Sequence, residues 1–413
     1  MRISSSLVFQ TGLNTINMQQ SDLMHLYQQI GTGQKMVTPA DDPLGASQAI
    51  NLSQSQALNA RYADNRAVAN QNLGTEEDAL SSLTLLMQDV RTRLVEASNG
   101  SLSDSDRATL SNVLQNARDS LLGIANTTDG NGQYLFSGSK GDTAPYDENG
   151  IYQGDSLQRQ IQSDQTRRIA GSDVGTDIFQ RAQPGTRAYA SYADAGNAGT
   201  AVLGQPGVNN NAGGNAAANY SFSIQFTSPT NYTVTVQDMS TNPPTPVAAP
   251  PGSPFTVAPG ATTLDLGYGT NVQISGAPLA GDQFDVNPLQ HEDVNLFETF
   301  DSVIAALNTP SEGDGQATAS LRNVLNTAMQ RMASSYDNVL TVRASVGSRM
   351  NELDALDNTG SQRNLGYAKA LSGIEDLDYY EATTQLKLRQ MALEGAGLAF
   401  QTIQGLSLFN RGK

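Results

Sequence analysis

The amino-acid sequence predicts an α+β protein: an elongated, coiled-coil-like bundle of long helices built from both chain ends, with an antiparallel β domain inserted between them. Three observations predict it. Residues 1 to about 135 and about 293 to 413 place apolar residues on an alternating three-four lattice, the period of packed helices. Residues about 140 to 290 change to a period of two and gather Gly, Pro and Asn. The two ends are alike in composition, and 413 residues leave room for two or three domains.

The first helix rests on Leu13, Ile16, Leu23, Tyr27 and Ile30, with Gln20 in the one polar slot. A second rests on Leu80, Leu83, Met87, Val90 and Leu94, and Thr75-Glu76-Glu77-Asp78 reads as its N-cap with acids in the first turn. Asn99-Gly100 separates it from a third on Leu110, Leu114, Ala117, Leu121 and Ile124. In the middle zone, Tyr220 to Phe226 and Tyr232 to Val236 alternate around the turn Ser228-Pro229-Thr230-Asn231, a hairpin signal. Thr262 to Leu266, Asn271 to Ile274 and Gln283 to Val286 read as further strands, and the segment Asn209 to Asn219 as loop. Downstream, Phe297, Phe300, Ile304 and Leu307 fit a short helix. Leu325, Ala328, Met332, Val339, Val342, Val346, Leu353 and Leu356 fit a long one of about forty residues, roughly 60 Å at ~1.5 Å per residue. Ile374, Leu377, Leu388, Met391 and Leu398 form the last lattice.

Composition excludes much chemistry. There are 24 Lys and Arg against 40 Asp and Glu, a net charge of −16, which disfavours nucleic acid and anionic membranes. Cysteine is absent, so disulfides, thiolate nucleophiles and cysteine zinc sites are out. The two histidines, His25 and His291, are far apart; His25 reads as an ordinary polar-face residue. No phosphate-binding loop, dinucleotide fingerprint or nucleophile elbow occurs. Asp129-Gly130-Asn131-Gly132-Gln133 begins like a calcium loop but has Tyr134 where glycine is required and Lys140 where the bidentate acid belongs, so it reads as a turn. Asp41-Asp42-Pro43 reads as a helix cap rather than an acid–base pair, and Glu375, Asp376, Asp378 and Glu381 as a solvated first turn rather than a metal site. We expect no cofactor and no catalysis. No stretch reaches the ~18 apolar residues of a membrane span, and the first residues lack the apolar core of a secretory signal. Any exit from the cell is then expected to use a route without a cleaved signal.

The ends are unusual. Between Met1 and Ile30 the only charged side chains are Arg2 and Asp22, while Gln10, Asn14, Asn17, Gln19, Gln20, Gln28 and Gln29 supply neutral polarity. The last thirty residues are similar, interrupted by Gly395, Gly397 and Gly405. Such a helix either docks weakly on its own domain or stacks against copies of itself, where neutral faces avoid like-charge repulsion. Alone, these ends bury too little apolar surface to offset chain entropy.

These residues resemble a known family. Met1-Arg2-Ile3-Ser4, the segment Gly31-Thr32-Gly33-Gln34-Lys35-Met36-Val37-Thr38-Pro39-Ala40-Asp41-Asp42-Pro43 and the paired helical ends resemble the bacterial flagellin superfamily. Asn131-Gly132-Gln133-Tyr134-Leu135-Phe136-Ser137-Gly138-Ser139 and the ending Leu406-Ser407-Leu408-Phe409-Asn410 are similar to its hook-associated branch at the hook–filament junction. Gly276-Ala277-Pro278-Leu279-Ala280-Gly281-Asp282-Gln283-Phe284 resembles a recurring segment of flagellar axial proteins. The resemblance implies a structural protein exported unfolded through the flagellar type III apparatus and located outside the cell. It implies a ring layer of this chain, with the first hook-associated protein and flagellin as neighbours and an export chaperone on the C-terminal segment. It implies terminal helices 1–40 and 372–413 as an inner coiled coil, 41–140 with 291–371 as a helical rod, and 141–290 as the outward β insertion. Leu13, Ile16, Leu23, Tyr27 and Ile30 would pair with Ile374, Leu377, Leu388, Met391 and Leu398 as the assembly interface. Two other roles remain open at this point: flagellin itself, and an adhesin carried by the β insertion.

Overall fold

The structure, a computed structural model, describes residues 5–208, 218–257 and 262–409. The opening tetrapeptide, most of the loop expected from Asn209, and Asn410 of the C-terminal motif lie outside the described residues. Two compact units are present: Met1–Asp64 with Ala355–Lys413, and Asn65–Asp354. The fold is α+β, with long helices from both chain ends and antiparallel sheets between them in sequence.

Helices α1 (Ser5–Thr32), α2 (Pro43–Ala97) and α3 (Asp104–Ala125) precede the sheets. Helices α5 (Leu296–Leu307), α6 (Gly315–Glu375) and α7 (Tyr379–Phe409) follow them. Two expectations are corrected. Thr75 is not a cap: α2 runs 55 residues, and Thr75 Oγ1 donates to Gln71 O at 3.1 Å inside it. The stretch before Thr75 is rich in Ala, Asn, Gln and Ser, so its helix shows little apolar lattice. Helix α6 is 61 residues long, beyond the forty its lattice marks, because Asn358 to Lys369 carries few large apolar side chains. The break after α2 falls where Asn99-Gly100 places it, and α3 opens with a reciprocal capping box of Ser103 and Asp106.

In the larger unit, four helices share one core. Val90 and Leu94 of α2, Leu114 of α3, Phe300 and Val303 of α5, and Met332 of α6 line one small internal space. Between α3 and the sheets, the chain forms turns around an aromatic cluster in which Tyr146 lies 4.9 Å from Phe297 and 5.5 Å from Phe179. A short hairpin, β1 (Gln160–Gln162) with β2 (Arg168–Ala170), and helix α4 (Gly175–Phe179) complete this segment.

The sheet strands are β3 (Tyr189–Ala193), β4 (Val202–Val208), β5 (Tyr220–Ser228), β6 (Asn231–Asp238), β7 (Thr245–Val247), β8 (Phe255–Thr256), β9 (Thr263–Gly267), β10 (Thr270–Ser275) and β11 (Gln283–Pro288). One antiparallel sheet has the order β3-β11-β5-β6-β7, with β8 on β6; a three-stranded one has β4-β10-β9. The hairpin register pairs Phe222 with Val236, Ile224 with Val234 and Phe226 with Tyr232, so alternate side chains enter one core. That core joins both sheets, with Leu203, Leu264, Leu266 and Val272 against Phe222, Ile224 and Phe284.

Strands β3 and β4 escape the sequence reading, and the structure gives the reason. Each is an edge, and β4 carries Gly204, Pro206 and Gly207. A polar stripe on α6 holds them. Asn323 accepts from Leu203 N at 2.9 Å and donates to Ala201 O at 3.0 Å. Asn326 donates to Leu203 O at 2.8 Å. Gln330 accepts from Ser191 N at 2.8 Å and donates to Gly204 O at 3.1 Å. These amides fill edge groups that would otherwise invite a foreign strand. In the resemblance segment, buried Asp282 accepts from Ala198 N at 2.9 Å, Gly199 N at 3.2 Å and Leu279 N at 2.8 Å, closing the turn before β11.

Candidate assembly surface

The smaller unit holds every residue expected at an interface. Helices α1 and α7 pack antiparallel. Phe9 and Phe400 rings are 5.0 Å apart at one end. In the middle, Asp22, the one charge on the described part of α1, meets Arg389, and Gln390 Nε2 donates to Tyr27 Oη at 2.8 Å. Gly12 lets Phe400 approach: a Cβ there would lie 3.0 Å from its ring.

The seam only partly follows the expected lattice. Ile16, Leu23 and Ile30 are half-buried, and Leu26, which the lattice omits, is buried. Leu13 is 38% exposed and Tyr27 48%. Ile374 and Leu377 are half-buried but belong to the last turn of α6 and the following link, because the helix breaks at 376–378. The expected pairing of Leu388, Met391 and Leu398 with α1 is corrected: they are 57%, 59% and 65% exposed. Helix α7 has two apolar stripes with helical spacing. Ala382, Leu386, Leu393 and Phe400 are the less exposed one; Tyr380, Leu388, Met391 and Leu398 lie on the other. Spacing alone cannot rank two such stripes. A helix apolar on both sides is one that burial surrounds. Of the 23 large apolar side chains exposed among the described residues, 15 lie in this unit, and a groove by Met36, Val37, Pro39 and Ile50 extends the apolar surface.

The breaks in the two helical arms are stitched together. Lys35 N donates to Glu375 O at 2.7 Å, and Leu377 N to Gly33 O at 3.0 Å. Gly33 has φ +73°, a conformation side chains rarely adopt, and a Cβ would meet Tyr379 Oη at 2.9 Å. Asp42 and Asp378 cap the helices that follow the two breaks, while Asp41 closes the turn before Asp42 and Asp376 accepts from Ser372 Oγ. Asp41 Oδ2 accepts from Val37 N at 2.9 Å and Thr38 N at 2.8 Å. Asp42 accepts from Gly45 N at 3.0 Å, capping α2 with Pro43 at its first position. Asp378 accepts from Tyr380 N at 2.9 Å and Glu381 N at 3.2 Å, capping α7. The Thr38 backbone bond, with help from His25, holds the Asp41 carboxyl down at about 2. His25 Nε2 stands 3.1 Å from Asp41 Oδ1, a partner sixteen residues away that sequence proximity does not show. Among the described residues no group of three or more His, Asp or Glu side chains could hold a metal ion, and no helix is long and apolar enough to cross a membrane.

Residues 3–141 match the bacterial flagellin N-terminal helical region. The chain is 32% identical to flagellar hook-associated protein 3 of Escherichia coli K12, over all of both chains. The chain belongs to the hook-associated protein 3 family. Consistent with that family, the flagellar junction protein FlgL of Legionella pneumophila superposes with a TM-score of 0.62 at 28% identity, covering 80% of this chain and all of that one. B-type flagellin of Pseudomonas aeruginosa is 33% identical, but over 32% of this chain and 28% of its own length. The hook-associated protein 3 likeness thus spans the sheets as well as the helices, whereas the flagellin likeness covers 32% of the chain.

Proposed function

We propose that this hook-associated protein 3 family member is a structural joint of the flagellum, seated outside the cell between hook and filament. It works by packing, without turnover. Copies form a ring layer, with the first hook-associated protein on one side and flagellin on the other. The carrying observation is the second apolar stripe of α7, left open beside a charge-poor α1. Covering that stripe with like helices recovers about 25 cal/mol per Å² of apolar surface.

In this reading Leu13, Tyr27, Leu388, Met391 and Leu398 meet neighbouring copies, while Ile16, Leu23, Ile30, Ile374 and Leu377 hold the two arms of one chain. The ends 1–40 and 372–413 form the inner layer, 41–140 with 291–371 the rod, and 141–290 the outer insertion. Export proceeds unfolded and without a cleaved signal, consistent with a chain free of crosslinks, and an export chaperone holds the C-terminal segment beforehand.

Deleting residues 1–30 tests the proposal. The fragment is expected to remain folded by circular dichroism and to fail to seat flagellin on the hook. Normal filament growth with that truncation overturns the joint.

A further inference from the structure

Glu76 sits in the middle of α2 with none of its surface exposed. Its Oε1 accepts from the backbone N–H of Asp173 at 3.0 Å, and its Oε2 is buried with no donor in reach. The Asp173 carboxylate beside it is already engaged, by Arg349 of α6 and by Gln158 Nε2 at 2.6 Å. Two carboxyl groups therefore meet at a largely buried site, and the one guanidinium bonded there is held by Asp173. The other charged groups near this seam are matched elsewhere. Glu77 takes two bonds from Arg343, and Glu352 pairs with Arg167. Among the described residues, Arg349 is the one cation bonded to this pair. An ionised, unpaired carboxylate there would bear the full desolvation penalty of burial. The site joins three pieces of one unit: α2, α6, and the segment running through β1 and β2 to the 171–175 turn, whose other anchors include Arg349 Nη1 to Ala170 O at 3.4 Å and Asn65 Nδ2 to Gln162 O at 2.8 Å.

We propose that Glu76 is carried as a neutral acid that donates its proton to Asp173, and that this shared proton is a latch fastening the 158–175 segment to α2 and α6, opening as the surroundings turn alkaline. Burial, then the neighbouring Asp173 charge, raise the Glu76 carboxyl to about 8; the Arg349 charge pulls the other way and loses. The sign follows. The folded chain holds this proton and the unfolded chain, titrating near the ordinary carboxylate value, does not. Stability contributed here is whole below about pH 4.5 and falls as pH rises towards about 8, by up to a factor of ten in the folding equilibrium for each pH unit of that window. Above about 8 the latch is open in the folded chain.

Trypsin reads the latch in the full-length protein, because Arg167 and Arg168 lie at the β1–β2 turn. Glu76→Gln supplies a permanent donor of the same shape. Cleavage after Arg167 and Arg168 in the wild type, relative to E76Q at the same pH, is expected to rise about tenfold between pH 7 and 9, so that changes in trypsin itself cancel. Urea midpoints of the wild type should fall across pH 6 to 9, while those of E76Q stay level. Glu77→Gln, which spares Glu76, should keep the wild-type slope. Equal cleavage in wild type and E76Q at both pH values, or the same pH slope in their urea midpoints, overturns the latch. Should E76Q be too poorly folded for comparison, the carboxyl carbon resonance of Glu76 in the wild type decides: a midpoint below about pH 6 refutes the proposal and one near 8 supports it.

Discussion

Asp282 shows how much structure one side chain can organise here. It is buried, yet three backbone N–H groups converge on its two oxygens, joining the loop before β4 to the turn before β11. Asp282→Ala leaves those donors without acceptors and is expected to cost about 3 kcal/mol, read as a lower urea midpoint of the full chain. A midpoint within error of the wild type would mean that water replaces the carboxylate. This residue was visible in the sequence only as part of a family-like segment, since nothing in its neighbours reveals three amides arriving from two places in the chain. The capping acids were easier. Asp42 before Pro43 carries its role in its spacing, whereas the contact of Asp41 with His25 depends on the chain turning back after α1.

At the scale of elements, helical periodicity and strand alternation located the hairpin β5–β6, strands β9 to β11, and helices α1, α3 and α5, because each has one apolar face to bury. Legibility ended where a segment is held by something other than its own pattern. Strand β4 is fixed by the amides of Asn323, Asn326 and Gln330 instead of by β propensity. Glu76 looked like a first-turn acid and proved to be an interior one. On α7 the lattice of Leu388, Met391 and Leu398 falls on the more exposed of two apolar stripes. That outcome sharpens the assembly reading into a test. Leu388→Gln with Leu398→Gln changes residues exposed in the monomer, so its melting temperature should move by less than about 2 °C, as surface changes are usually worth under 0.5 kcal/mol. Self-association measured by sedimentation should nevertheless drop at least tenfold. Unchanged association would remove these residues from the interface.

For the whole molecule, apolar exposure is concentrated in the smaller unit, while the larger unit buries a helical core and a two-sheet core of its own. Local stability should follow that division. Amide exchange on the dilute monomer is expected to find the first ~30 and last ~40 residues exchanging at least a hundredfold faster than Leu80 to Leu94 or Leu325 to Val346. Slow exchange throughout α1 and α7 in the lone chain would show that they need no neighbours, and would count against a ring held by those helices.

The backbone stitch between Gly33 and Leu377, and between Lys35 and Glu375, has a mechanical consequence. The two crank points of the chain are tied into one part, so neither arm can swivel about its own bend without carrying the other. A twist applied at one is divided between two strands of backbone lying side by side, which is how a coupling can yield in bending yet resist being wrung.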